Sequence, residues 1–219
     1  MKKFILSALI LCCSFVFSGC KTENVYLGYI SDLKQNYYVG DQNGTDITAF
    51  YGFREEPFIN DGKVGEKIYG YTFKLGIIPD DVRRSVEFTV DNKTYSAVFS
   101  LDDLKSEYKA FVEIKHLFDK EFTLNLICGS EKTAVTLRSV VPENCISYET
   151  AIDVLTEKQQ PLLNAYTENG VFNAEIYMRV FIHNDAPYWY VGIASGNGKL
   201  KALLIDGVSG DILAVRDII

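Results

Sequence analysis

The chain has 219 residues, 47% hydrophobic and 23% charged, which is enough apolar material for a sizeable core and does not fit a disordered protein. Its formal charge of −7 repels phosphate backbones, so nucleic acid is not an expected partner. Fourteen Tyr and fourteen Phe against two Met favour strands over helical bundles, because aromatic side chains suit a pleated, half-buried surface.

Lys2 and Lys3 precede an apolar run from Phe4 to Phe17 that closes on Phe17-Ser18-Gly19-Cys20. This order reads as a secretory leader over residues 1–19, and the run is too short and wrongly flanked for a stable membrane span. The last four residues resemble the bacterial lipobox, with Phe17 where that motif usually has Leu. The resemblance implies a diacylated Cys20 as the mature N-terminus. It also implies a lipid anchor in a membrane and an extracytoplasmic place in the bacterial cell envelope.

Residues 20–44 are polar and turn-rich, with scattered tyrosines, and read as a lipidated tether leading into the fold. Asp41-Gln42-Asn43-Gly44-Thr45-Asp46 puts oxygens at alternate positions, but the spacing is not that of an EF-hand loop. An Asn-Gly turn between strands is the expectation. Residues 45–142 then supply seven strand candidates: Ile47 to Phe53, Lys67 to Leu75, Val86 to Val90, Tyr95 to Phe99, Lys109 to Lys115, Phe122 to Cys128 and Thr133 to Val140. Asp91-Asn92 turns the clearest hairpin, and Leu101 to Tyr108 could form a helical turn. The count and spacing predict an immunoglobulin-like antiparallel β-sandwich. Once Cys20 and the leader cysteines are set aside, Cys128 and Cys145 remain, either as a disulfide in an oxidising envelope or as two buried thiols.

Pro142-Glu143-Asn144 marks the boundary of a second unit, residues 143–219. Ser147 is an N-cap for a helix carrying Ile152 and Leu155, which Gln159-Gln160-Pro161 ends or kinks. Phe172 to Ile182 alternates as a strand, and Pro187 to Leu213 reads as three short antiparallel strands with glycine-containing turns. Helix plus four-stranded antiparallel sheet makes an α+β unit within a mainly β chain.

Ile146-Ser147-Tyr148-Glu149-Thr150-Ala151-Ile152, Tyr188-Trp189-Tyr190-Val191-Gly192-Ile193 and Leu203 to Leu213 resemble a PepSY-type domain over about residues 145–217. Gly207 and Ser209 replace Ala and Thr of that pattern, while Asp206, Gly210, Asp211, Ile212 and Leu213 match it. The resemblance implies a helix packed on a small sheet, no catalytic residues, and a role in inhibiting peptidases or binding envelope partners.

The chain lacks G-x-S-x-G, H-E-x-x-H and paired C-x-x-C motifs. Gly192 to Lys199 has the wrong glycine spacing for a phosphate loop. His116 and His183 stand alone, and Asp80-Asp81 and Asp102-Asp103 read as solvated turns. A non-enzymatic chain without cofactor or metal is therefore the expectation. Its partner would be an envelope protein or peptide, met on the face carrying Tyr177, Arg179, Tyr188 and Tyr190, with peptidase modulation as one outcome. The alternative is a surface adhesin that binds glycans through the sandwich.

Overall fold

The computed structural model describes residues 23–42, 45–57, 59, 61–76, 82–102, 106–196 and 198–218. The leader, Cys20 and the Asn43-Gly44 and Asp80-Asp81 pairs lie outside them. Nine strands fill the first part: β1 (Ile30–Gln42), β2 (Thr45–Glu56), β3 (Glu66–Gly76), β4 (Arg84–Val90), β5 (Lys93–Val98), β6 (Ser100–Asp102), β7 (Glu107–Glu113), β8 (Glu121–Cys128) and β9 (Glu131–Ser139). After them come helix α1 (Tyr148–Lys158), the short α2 (Gln160–Asn164), and a small hairpin of β10 (Thr167–Glu168) and β11 (Val171–Phe172). The chain ends on β12 (Glu175–His183), β13 (Ala186–Ala194), β14 (Leu200–Asp206) and β15 (Ile212–Ile218). The protein is mainly β. All seven strand candidates fall on strands, whereas Leu101 lies on β6 and Tyr108 on β7, where a helical turn was expected.

One sheet runs through both parts in the order β15-β14-β13-β12-β1-β2-β3-β7-β6, with β9, β8, β4 and β5 branching from β1. Neighbours are antiparallel except β1 and β12, which pair in parallel with Ile30 opposite Ile176 and Lys34 opposite Arg179. This corrects the expected tether, because residues 30–42 form the strand that joins the two halves. Two bulges hide that strand from a period-two reading. Register shifts between Ile30 and Asp32 and between Lys34 and Asn36 insert Ser31 and Gln35 as extra residues. Ile30, Leu33 and Tyr38 consequently all point to the covered side, although their spacing does not alternate.

Two hydrophobic clusters lie beneath that same side. β2 shows this directly: Ile47, Ala49 and Tyr51 enter the first cluster, and Phe53, two residues on, enters the second. Residues of β4, β8 and β9 complete the first cluster, among them Phe88, Phe122 and Leu137. Ala151, Ile152 and Leu155 of α1 complete the second, together with Trp189, Val191 and Ile193 of β13. The even-numbered residues of β2 therefore face the other side, which neither the helices nor the second strand layer covers.

Local chemistry fixes the ends of these elements. Ser147 caps α1 by accepting from the Thr150 N–H at 3.3 Å, and Pro161 sits in the first turn of α2, where it lacks nothing the helix would use. Positive φ at Asp91 and Asn92, and at Asn184 and Asp185, marks tight two-residue turns between β4 and β5 and between β12 and β13. Between β14 and β15, Asp206 Oδ1 accepts from the Val208 and Ser209 N–H groups at 2.8 Å each, and Gly210 takes φ +72°. These bonds hold the Asp206 carboxyl below its ordinary pKa. Cys128 and Cys145 are both free thiols. They belong to different clusters, Cys128 packing beside the first and Cys145 beside the second, which is the two-thiol alternative and not the disulfide.

Candidate functional site

Register alone places a row of residues across the uncovered face of the sheet. Tyr190 on β13 opposes Arg179 on β12, which opposes Lys34 on β1, then Gly52 on β2, Gly70 on β3 and Glu113 on β7. One step along, Tyr37, Phe50, Thr72 and Phe111 form a parallel row. Side chains on one face of a strand recur every second residue, so both rows point the same way.

The two mid-row glycines shape the surface. A Cβ on Gly52 would lie 1.7 Å from the Leu33 carbonyl oxygen, and one on Gly70 would lie 2.1 Å from that of Val112. No side chain fits at either point, and the sheet closes up beside the bulge in β1. The result is a groove of about 470 Å³ with a glycine floor.

Its lining carries Lys34, Arg54, Lys74, Lys109 and Arg179 against Asp32 and Glu56, a local positive excess in an acidic chain. Lys34 pairs with Asp32 at 2.5 Å and Arg54 with Glu56 at 3.3 Å. Lys74 and Lys109 stand directly opposite each other, an unfavourable pairing on its own, and share Glu107 at 3.2 Å each. Lys109 also reaches Asp102. Burial disfavours charge on Glu107 and Lys109, but these bonds outweigh it, lowering the Glu107 pKa and raising that of Lys109. Several cations also cover ring faces. Arg54 lies 4.3 Å over Phe111, Lys74 5.5 Å over Phe50, and Arg179 4.9 Å over Tyr190. Tyr37 stacks on Phe50 at 4.6 Å.

The four expected face residues share this side of the sheet but differ in use. Arg179 is exposed and lines the groove. Tyr190 supports it from the next strand. Tyr188 is stacked on Phe181 at 5.5 Å, away from the groove. Tyr177 turns inward and donates to Glu175 Oε2 at 3.0 Å, and burial beside that carboxylate raises its pKa. Glu175 is itself fully buried, and its other oxygen accepts from the Asp61 and Gly62 N–H groups at 3.0 and 2.9 Å. Tyr177 thus belongs to the bonds that pin residues 61–62 onto β12.

Sequence reasoning missed Lys34, Arg54, Lys74 and Lys109. They come from four strands, and only the register brings them together. Two signals were present. Gly52 and Gly70 interrupt otherwise apolar strands, and the polar positions between the core residues of β2 and β3 include Arg54 and Lys74.

The remaining candidates lie outside the groove lining. Ser195 N–H donates to the Lys199 carbonyl at 3.0 Å, closing the turn that superficially resembled a phosphate loop. His116 packs edge-on to Phe118, and His183 ends β12 exposed. Among the described residues no three His, Cys, Asp or Glu side chains are grouped to hold a metal ion. No helix among them is long and apolar enough to cross a membrane.

No protein-family model and no curated protein matches the chain, so the PepSY-type resemblance rests on the quoted residues alone. Among solved structures, a candidate lipoprotein from Clostridium difficile 630 is similar over 63% of this chain and 82% of its own length. Its identity is 11% and its TM-score 0.27, a likeness too slight to carry an argument about fold or function.

Proposed function

We propose that the chain is a non-catalytic binding protein of the bacterial cell envelope, anchored by lipid on Cys20, which holds a protein partner on the uncovered face of its sheet. In this reading the first part is an immunoglobulin-like sandwich and the second a PepSY-like unit, and modulation of a peptidase is one use of such binding. The observation that carries the reading is the groove, whose lining comes from both parts of the chain and whose floor excludes side chains. A groove of this size on a rigid sheet suits recognition of a partner segment better than it suits a merely solvated surface. The glycan-binding alternative needs open aromatic faces, and those at Phe50, Phe111 and Tyr190 are already covered.

Two measurements on the full-length chain in a bacterial envelope test this. Labelled palmitate should be incorporated and lost in Cys20→Ala, which should also leave the membrane fraction; an unlabelled wild type contradicts the anchor. A photo-cross-linking side chain at Thr72 should capture a defined envelope protein that the same group at the exposed Ser130 does not. Equal capture from both positions, or none from Thr72, contradicts the binding face.

A further inference from the structure

We infer that the groove selects a short, acidic, extended segment of its partner, with Arg179 as the principal recognition residue. The inference rests on the binding reading above and names the chemistry of the occupant.

The charge of the lining favours an acidic occupant. Five cations face two carboxylates in the lining; beside it Lys74 and Lys109 share Glu107 and Lys109 also reaches Asp102, so the cations exceed the carboxylates they meet by one. Arg179 has no carboxylate partner among the described residues, although it is exposed and held in place over Tyr190. A guanidinium presents a planar fork of N–H donors that matches a carboxylate with two parallel bonds. The Arg54–Glu56 pair is exposed and the Lys34–Asp32 pair half-buried, and solvent-screened pairs hold weakly, so an incoming carboxylate can exchange with the Arg54–Glu56 pair.

The length of the groove sets the length of the segment. Arg179 and Lys109 are four strand steps apart, which at about 4.8 Å per step is roughly 19 Å before the offset along the strands is added. An extended peptide advances about 3.3 Å per residue, so roughly six residues cover the groove. Gly52 and Gly70 line the groove and put no side chain between the sheet and that backbone.

Net charge limits the occupant to a short segment. With a formal charge of −7 the chain as a whole repels a long polyanion, whether nucleic acid or acidic polysaccharide. A few carboxylates within about 8 Å of the cations respond mainly to the local field. Cations over Phe50, Phe111 and Tyr190 also compete with a sugar for those ring faces.

The test is fluorescence anisotropy of an eight-residue peptide carrying three glutamates, set against its glutamine counterpart and an oligogalacturonate. At low salt the glutamate peptide should bind about tenfold or more tightly than the glutamine peptide, and binding should weaken as salt rises. Arg179→Ala should weaken it about tenfold, and Arg179→Glu further, with both variants retaining the wild-type Tm. Equal binding of both peptides, binding of the oligogalacturonate in place of the glutamate peptide, or no effect of Arg179→Ala overturns the inference. If the glutamate peptide fails while Thr72 still captures a partner, only the acidic specificity falls. If Thr72 captures nothing, the binding face falls with it.

Discussion

The two clusters beneath the sheet are built differently. The first, between strand layers, is rich in rings: Tyr38, Tyr51, Tyr71, Phe73, Phe88 and Phe122. The second, between sheet and helix, is mostly aliphatic around a single indole, Trp189. Rings fill the space between facing strand layers, about 10 Å deep, whereas α1 brings Ile152 and Leu155 down onto β13. The rings bring hydroxyls with them, and those hydroxyls need partners. Tyr51 donates to the Lys115 carbonyl at 3.0 Å, Tyr38 donates to the Phe118 carbonyl, and Tyr71 accepts from the Phe118 N–H at 2.9 Å. Three buried tyrosines thereby pin residues 115–118, and burial raises all three pKa values. In the second cluster the Trp189 Nε1–H has a comparable role, donating to the Ile146 carbonyl at 2.9 Å and tying β13 to the approach of α1. What the two have in common is the strand pair β1 and β2. Each cluster covers one stretch of it from the same side, and the opposite side is left uncovered across the seam.

The largest effect is expected where the comparison collapses. Gly52→Ala forces a methyl group into the Leu33 carbonyl at the seam and should cost about 4 kcal/mol or more, with both clusters lost together in denaturant unfolding. Loss of one cluster with the other intact would separate the two parts. Next come Trp189→Ala and Phe73→Ala, one in each cluster, each expected to cost about 3–5 kcal/mol by urea unfolding. A shared sheet predicts that both lower the same midpoint. Tyr71→Phe leaves the Phe118 N–H without its partner and should cost about 1–2 kcal/mol. The smallest effect belongs to Asp206→Ala. Because the folded pKa of Asp206 is depressed, its contribution is present above the ordinary value of 3.8 and disappears as pH falls through the lower folded value. Its Tm should lie below wild type near pH 7, and the gap should close on acidification; a gap independent of pH would show that the carboxylate charge is not involved.

Much of this architecture could be read in the sequence. Alternation located Val86 to Val90 and Phe122 to Cys128, Ser147 marked the start of α1, and Asp206 with Gly210 marked the final turn. β1 could not be read, because Ser31 and Gln35 are bulged residues that break the period of two and make a buried strand look like a polar tether. The groove was legible only at Arg179, since its other cations are separated by many residues along the chain and meet through register. Tyr177 sits on the expected face, but sequence gives no sign of the buried Glu175 that draws it inward.

The central claim is that one sheet, joined by β1, makes the two parts a single cooperative unit with a common face. Trp189 is the only tryptophan and lies in the second cluster, so its fluorescence follows that cluster, while far-ultraviolet circular dichroism follows strands in both. In urea the account predicts coincident transitions with one midpoint for the two signals. A Trp189 transition displaced from the dichroism transition, or a two-step dichroism curve, would contradict it.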